Sequence, residues 1–354
     1  MPFDASSSTL APADRGDRAA LRPIAMWLIF VCAMIWAMVA LGGATRLTGS
    51  GLSIMEWAPL AGILPPLSQA EWQRLYDLYR TVPQYQLLNA GFGMEGFQRI
   101  FWLEWGHRVW GRLIGMAYLL PFIWFWATGR IPRPLLPRLF LLFVLGGMQG
   151  VIGWFMVASG FDEGRTAVSP YRLVMHLGMA FVLYGLVLWT ALGLLRATRP
   201  EPVARGVKGP LLLAFWLGVA TMLAGGFVAG IRAGFTYNTF PLMDGALVPA
   251  GYLDLSPWWR NLTANIAAVQ FNHRLLATAT LAATLWAAWC ARRLPRPARL
   301  LAWGFAGAVA LQYGLGILTL IHVVPVGLGT LHQAVAVLVL TMGLLALHRL
   351  RQPA

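Results

Sequence analysis

Long apolar runs, separated by short polar segments that contain arginine, dominate the chain. At about 1.5 Å per helical residue, each run is long enough to cross the roughly 30 Å hydrocarbon core of a bilayer. The runs fall at about residues 24–44, 107–128, 137–158, 172–195, 211–231, 271–291, 300–321 and 329–348. This pattern predicts an all-α, polytopic membrane protein with eight transmembrane helices.

Composition supports this class and excludes others. The 354 residues are 58% hydrophobic and only 11% charged, with a mean hydropathy of +0.64. A soluble domain of ordinary composition would carry about a quarter charged residues. The net charge of +14 is spread over the segments between apolar runs, and no basic domain exists, so we expect no nucleic-acid partner.

The distribution of basic residues predicts the orientation in the membrane. One set of helix ends, which includes both termini, carries 16 of the 27 basic residues and four acids. The opposite set carries 11 basic residues and nine acids. Because arginine and lysine accumulate on the cytoplasmic side, both termini are predicted to be cytoplasmic.

The N-terminal segment 1–22 is polar and contains three aspartates, which fits neither a cleavable signal nor an organelle transit peptide. A bacterial inner membrane is the simplest location. Cys32 and Cys290 both fall inside predicted helices, so we expect no disulfide in the exported loops.

Four histidines lie at matching positions on four separate predicted helices, each at the start of its apolar run. They are His107, His176, His273 and His332, and an arginine follows them after 23, 20, 19 and 17 residues respectively. The spacing places all four imidazoles near the outer face of the membrane. Ionisable side chains inside membrane helices usually mark function. Two pairs of inward-facing histidines in a helical bundle predict two metal centres, most naturally two haems.

A packed, hydrogen-bonded histidine is the alternative interpretation for any one of these positions. Four histidines at matched depth and at matched repeat positions favour ligation over coincidence. His322 and His348 have no partner in the repeat, and we interpret both as structural.

The chain is a tandem repeat of two four-helix units. The matching motifs are Glu104-Trp-Gly-His107-Arg108 with Gln270-Phe-Asn-His273-Arg274, Gln149-Gly-Val-Ile-Gly153 with Gln312-Tyr-Gly-Leu-Gly316, Met175-His176-Leu177 with Leu331-His332-Gln333, and Gly42-Gly43 with Gly225-Gly226. Because each unit has an even number of spans, the two units are predicted to be tandem parallel four-helix bundles. The predicted division is a tail at 1–22, an N-terminal half at 23–195, a linker at 196–210, a C-terminal half at 211–348 and a tail at 349–354.

The long exported segment 44–106 contains one further predicted element. Ser68 and Glu71 form the pattern of a capping box, and an apolar stripe follows. These features predict a short helix on the outer surface.

Glu104 is the sharpest chemical difference between the two halves. It lies three residues before His107, and its repeat counterpart, Gln270, cannot ionise. A carboxylate at this position could orient the imidazole, transfer protons or simply face solvent. We favour a catalytic or substrate-binding role.

Two long motifs identify a family resemblance. They are Gly42-Gly-Ala-Thr-Arg46-Leu-Thr-Gly-Ser-Gly51-Leu-Ser and Phe97-Gln-Arg-Ile-Phe-Trp-Leu-Glu104-Trp-Gly-His107-Arg108-Val-Trp-Gly-Arg112. With the paired histidines, they closely resemble the haem A synthase family, over nearly all of residues 22–350. The form it resembles is the mitochondrial and related bacterial one. Other bacterial members carry a cysteine pair in an exported loop, which this chain lacks.

The resemblance implies an oxidoreductase that acts on a methyl group of haem O. Successive hydroxylations at C8 give a geminal diol, which loses water to leave the formyl group of haem A, for use in cytochrome oxidase. By the same resemblance, His273 and His332 hold a resident haem b, whereas His107 and His176 hold the substrate porphyrin. Glu104, His107 and His176 are then the expected catalytic residues.

The resemblance also implies partners: haem O synthase, the cytochrome oxidase assembly machinery, an electron donor and membrane lipid, with a homo-oligomer as a further expectation. Four arginines are candidates for pairing with haem propionates through charge-assisted hydrogen bonds. They are Arg46, Arg108, Arg232 and Arg274. Snorkelling to the outer interface is an equally weighted interpretation.

Two other functions compete with this one. A di-haem b electron-transfer protein would hold two permanent haems and would not need Glu104. A transporter that uses the histidines as proton relays would hold no haem. A parallel repeat without broken helices argues mildly against the transporter.

Topology reporters test the predicted orientation. Fusions after residues 132, 200, 295 and 354 should report the cytoplasm, and fusions near 75, 163, 250 and 326 should report the exported side, because of the basic-residue bias. A cytoplasmic signal from the fusion at 75 would overturn the outer placement of all four histidines.

Overall fold

The computed structural model describes residues 15–58, 61–195 and 206–350. Its α-helices are α1 (Arg15–Leu47), α2 (Gln69–Arg80), α3 (Met94–Ala127), α4 (Leu136–Ala158), α5 (Pro170–Leu195), α6 (Lys208–Gly230), α7 (Asn261–Ala264), α8 (Ile266–Cys290), α9 (Arg296–Ile321) and α10 (Val326–Arg349). Short 3₁₀ turns cover Ala61–Ile63, Ala233–Phe235, Trp258–Arg260 and Ala291–Arg293, and a π-turn covers Tyr85–Asn89. Over these described residues the fold is all-helical, and its β-structure is limited to an isolated bridge between Met243 and Ala246.

Eight helices of the described chain are long and apolar enough to cross a membrane, which confirms the predicted class and number of spans. The predicted start of the second span was wrong, because α3 begins at Met94 rather than near residue 107. The first turns of α3 contain charged residues, which lower the local hydropathy, so the apolar pattern does not reveal them. Two of them, Glu95 and Arg99, form an ion pair one turn apart that instead supports the helix. His107 therefore lies about four turns inside α3.

The four long helices of each half contact one another in a ring. In the N-terminal half, α1 contacts α3 and α5, and α4 contacts both α3 and α5. In the C-terminal half, α6 contacts α8 and α10, and α9 contacts both α8 and α10. The halves meet where α1 crosses α10, where α5 crosses α6 and where α5 contacts α10. The arrangement as two tandem parallel bundles stays a prediction. The predicted division of the chain stays a prediction, and most of both tails and of the linker lies outside the described residues.

The two halves are packed with different side chains. The N-terminal cluster uses large residues such as Trp27, Tyr118 and Phe122, and it extends to Val337 of the other half. The C-terminal cluster is rich in alanine, with Ala214 and other alanines on α6, α8 and α9. Small side chains let membrane helices approach closely, which accounts for the extensive α6–α8 contact.

The predicted surface helix in the first exported loop is α2. Ser68 caps it, and its hydroxyl accepts a hydrogen bond from the backbone N–H of Glu71 at 3.2 Å. Tyr79 of α2 is buried against Phe97 and Phe101 at the start of α3. The start of α3 is therefore packed against α2.

An exposed ion-pair network also ties this loop to α2. Arg74 donates to the carboxylates of Glu56 and Glu71, at 2.9 and 2.7 Å. The hydrogen bond from Arg74 holds the pKa of Glu56 below its usual value.

Candidate functional site

The four histidines form two pairs, one in each half. His107 on α3 lies within electrostatic range of His176 on α5, and His273 on α8 lies within range of His332 on α10. Each pair therefore joins the second and fourth long helices of its own bundle, as the repeat predicts.

A glycine on the preceding long helix contacts each imidazole. A Cβ atom added to that glycine would meet the ring at 3.3 Å for Gly42 and His107, 2.9 Å for Gly153 and His176, 3.0 Å for Gly225 and His273, and 3.1 Å for Gly316 and His332. A side chain at any of these glycines would force the imidazole or its helix to shift. We call these the four glycine–histidine contacts, and they recur at equivalent positions of the repeat.

Glutamines stand beside the two histidines of the fourth helices. The Gln149 amide nitrogen donates to the His176 carbonyl at 3.0 Å and lies 3.2 Å from the ring nitrogen Nδ1. The Gln312 amide nitrogen lies 3.3 Å from Nε2 of His332. Each glutamine precedes the contacting glycine by four residues, so the amide and the glycine share one helix face.

The two histidines of the second helices differ in their support. Nδ1 of His273 lies 3.1 Å from the Thr221 carbonyl, and donation to that oxygen leaves Nε2 free to bind a metal. Within the described ranges, the His107 ring makes no hydrogen bond. The resting orientation of His107 is therefore set by packing, including its contact with Gly42.

Some of the buried polar atoms without hydrogen-bond partners in the described chain belong to residues at or beside the pairs. Oε1 of Gln149 lies in the N-terminal half, and Oε1 of Gln312, Oγ1 of Thr330 and Nδ1 of His332 lie in the C-terminal half. Unpartnered buried polar atoms are rare in proteins and call for an explanation such as a missing ligand.

The side chains fit a haem better than a bare metal ion. Among residues 15–58, 61–195 and 206–350, no three His, Cys, Asp or Glu side chains lie close enough together to hold an ion. A pair of imidazoles on facing helices matches the two axial positions of a haem, since the porphyrin brings its own nitrogen ligands.

Glu104 is buried, with only 2% of its surface exposed, so the interpretation that it faces solvent is wrong. One carboxylate oxygen accepts hydrogen bonds from Ser53 N and Oγ, both at 2.7 Å, and from Ile54 N at 3.0 Å. The other oxygen is paired with Arg108 at 2.6 Å. The carboxylate thus binds the loop that follows α1 to α3, one helical turn before His107.

The same arrangement exists in the C-terminal half with the hydrogen-bond polarity reversed. Gln270 donates to the carbonyls of Ala233 and Thr236, at 2.8 and 2.5 Å. Its amide oxygen accepts a hydrogen bond from Arg274 at 3.0 Å. The loop therefore presents N–H groups to Glu104 and carbonyl groups to Gln270, which explains why a different residue occupies each position.

The four arginines do not form one group. Arg108 donates to the Ile54 and Glu56 carbonyls, and Arg274 makes equivalent bonds in its own loop, to residues 237 and 239. Arg46 reaches from α1 to the carbonyls of residues 229 and 230 at the end of α6. Arg232 is exposed and lies within electrostatic range of Arg46. Propionate binding by these residues stays a prediction.

The two remaining histidines lie at helix ends. His322 follows α9 and bonds through Nδ1 to the Leu318 carbonyl at 2.9 Å. His348 in the last turn of α10 is buried edge-on against Trp189. Both placements agree with structural roles.

Sequence reasoning did not find the roles of the contacting glycines, the two glutamines or Ser53. A signal existed for the first two groups, because Gln-x-x-x-Gly occurs at equivalent places in both halves. No comparable pattern marks Ser53, whose contact with Glu104 depends on the loop conformation.

Comparison with known proteins gives the family. The model of the cytochrome oxidase assembly protein family COX15-CtaA matches residues 25–344. The chain belongs to this family. Among similar proteins, the one named heme A synthase from Granulibacter bethesdensis is 54% identical over 98% of this chain and 94% of its own length. Proteins of the same name from Rhodospirillum centenum and Parvibaculum lavamentivorans are 49% and 47% identical, over 98% and 92% of this chain and 94% of each relative.

The glycine–histidine contacts predict a specific sensitivity of this COX15-CtaA member. Gly316→Ala places a Cβ about 3.1 Å from the His332 ring, whereas Gly314→Ala on the same helix adds a Cβ in open space. Overpacking costs about 1–3 kcal/mol, so Gly316→Ala should weaken haem retention by about tenfold. Haem content of the purified variants measures this.

Gly314→Ala serves as the control, because both substitutions raise helix propensity equally. Equal haem content in the two variants would contradict the importance of the contact.

Proposed function

We propose that the protein is a haem A synthase, which oxidises the C8 methyl group of haem O to the formyl group of haem A. The observation that carries this proposal is that the four histidines form two pairs, and that a glycine on a neighbouring helix contacts each imidazole. Unpartnered buried polar atoms lie on Gln149 beside the first pair and on Gln312 and His332 at the second. The relatives named heme A synthase align over nearly the whole chain, and they agree with this chemistry.

The two sites have different tasks in this proposal. His273 and His332 hold a resident haem b, and the bond between His273 and the Thr221 carbonyl supports a permanently oriented ligand. His107 and His176 hold haem O, the substrate. A ring held by packing alone, as His107 is, suits a site that must release its product. The iron of a bound haem supplies the redox chemistry.

Glu104 is the proposed catalytic carboxylate of the substrate half. Its side chain lies on the His107 face of α3, and five hydrogen bonds reach its two oxygens. These bonds hold the carboxylate one helical turn from His107. From this position it can orient a substrate oxygen or accept a proton from one.

The setting follows from the membrane analysis. The protein is an oxidoreductase of a bacterial inner membrane, with both termini cytoplasmic and both haem sites toward the periplasmic side. Haem O synthase would supply the substrate, the cytochrome oxidase assembly machinery would receive the product, and an electron donor would serve the resident haem.

The histidine pairs should fail differently. His273→Ala or His332→Ala should remove the haem b signal, because each deletes an axial ligand of the resident group. His107→Ala or His176→Ala should abolish haem A formation while leaving haem b largely bound. Pigment extraction and absorption spectra of the purified variants measure both effects.

Equal loss of the same haem in all four variants would refute the division of tasks. Haem b alone in the wild-type protein would favour the di-haem electron carrier, and no haem would favour the transporter.

Substitution of Glu104 distinguishes a chemical role of the carboxylate from a role in packing the loop. Hydrogen-bond donors now reach both oxygens of the Glu104 carboxylate. In Glu104→Gln only one oxygen remains to accept them, so the variant loses charge-assisted hydrogen bonds worth about 1.5–3 kcal/mol each. We expect porphyrin to bind but oxidation to slow or stop at the alcohol. The measurement is the ratio of haem O, hydroxylated haem and haem A extracted from cells.

Ser53→Ala is the matched control, since it removes one loop bond to the carboxylate and keeps the charge. If Ser53→Ala blocked oxidation as strongly as Glu104→Gln, loop packing would explain both. Wild-type haem A from Glu104→Gln would exclude the carboxylate from the mechanism.

A further inference from the structure

Two pairs of adjacent glycines lie at equivalent positions near the outer ends of α1 and α6. The first glycine of each pair, Gly42 or Gly225, contacts the histidine of the second helix in its own half. The second glycine of each pair faces the other half of the molecule. The glycine pairs therefore stand between the two histidine sites.

The contacts of the second glycines lead to the opposite site. Gly43 of α1 packs directly against the amide oxygen of Gln333, the residue after His332. Gly226 of α6 lies against Val174 and Leu177 of α5, and Leu177 is the residue after His176. At the α1–α10 and α5–α6 crossings, a glycine next to a histidine-contacting glycine therefore meets a residue next to a histidine of the other half.

The two crossings are not equivalent. At Gly43, all three nearest atoms belong to Gln333, whereas Val174 and Leu177 share the contact at Gly226. The α1–α10 crossing is also fixed by a hydrogen bond from the Trp36 indole to the Ala334 carbonyl, at 2.9 Å. At Gly43 itself, the contact with α10 is made by a single polar side chain, that of Gln333 beside His332.

We infer that Gln333 is a positioning residue that couples the two histidine sites across the boundary between the halves. This inference rests on the proposed haem occupancy of both sites. Ligation of His332 would fix the rotation of α10 around this residue. Gln333 is the next residue in the helix, so its position would be fixed as well. Because Gly43 has no side chain to yield, the displacement reaches α1 and the adjacent Gly42, which supports His107. Densely packed interiors transmit such shifts.

The consequence is a binding affinity at one site that depends on the occupancy of the other. Ferric haem b is the probe, titrated into the full-length protein in detergent. The dissociation constant of the N-terminal site is measured with the C-terminal site filled, and again in a His273→Ala, His332→Ala background in which it is empty. We expect the two constants to differ by about fivefold or more, the usual range for coupled sites.

Gln333→Ala should bring that ratio below about twofold while both sites still bind haem, because it removes the contact with Gly43. Leu331→Ala is the matched control, since Leu331 flanks His332 on the other side and is exposed. It should leave the ratio unchanged. Gly43→Ala should add no further change in the Gln333→Ala background, because both substitutions act on one contact.

Independent affinities in the wild-type protein would overturn the coupling and leave the proposed function intact. A ratio that survives Gln333→Ala, or that falls equally in Leu331→Ala, would overturn the role of Gln333. A protein that binds no haem at either site would overturn the proposed function, and the coupling with it.

Discussion

Close contact between an imidazole and a glycine on the neighbouring helix is the interaction on which both sites depend. A histidine inside an apolar bundle needs room for its ring and a fixed direction for its nitrogens. The four glycines supply the room, because any Cβ at these positions would lie within 3.3 Å of a ring atom. The strictest packing requirement therefore lies on the helix that faces the histidine, where one added methyl group is enough to disturb the imidazole.

The loops that follow α1 and α6 are bound by the same helices that carry His107 and His273. In each half, the residue three positions before the histidine and the arginine after it bind the backbone of the loop. One helical turn thus serves the site on one side and the loop on the other. The reversal of donors and acceptors between Glu104 and Gln270 preserves this arrangement while it places an ionisable group in only one half.

The sequence was sufficient for the all-helical class, the eight spans and the pairing of the histidines, because hydropathy and the repeat act over many residues. It misplaced the start of α3, where aromatic packing against α2 and a local ion pair outweigh low hydropathy. It also left Glu104 without its main partners. Those partners are backbone N–H groups of residues 53 and 54, and the direction of a backbone group in a loop is set by folding and not by residue type.

A repeat with shared geometry can still produce two chemically different sites, and the charges explain how. Arg108 is paired with the buried carboxylate of Glu104, so the two charges cancel beside His107. Arg274 meets the neutral amide of Gln270 instead, and within the described chain it forms no ion pair, although Asp244 acts on it from a distance. A partly buried cation without a direct counter-ion favours a nearby anion. Arg274 is therefore better placed than Arg108 to attract an anionic group beside its histidine, and this difference supports the proposal that the two sites have different tasks.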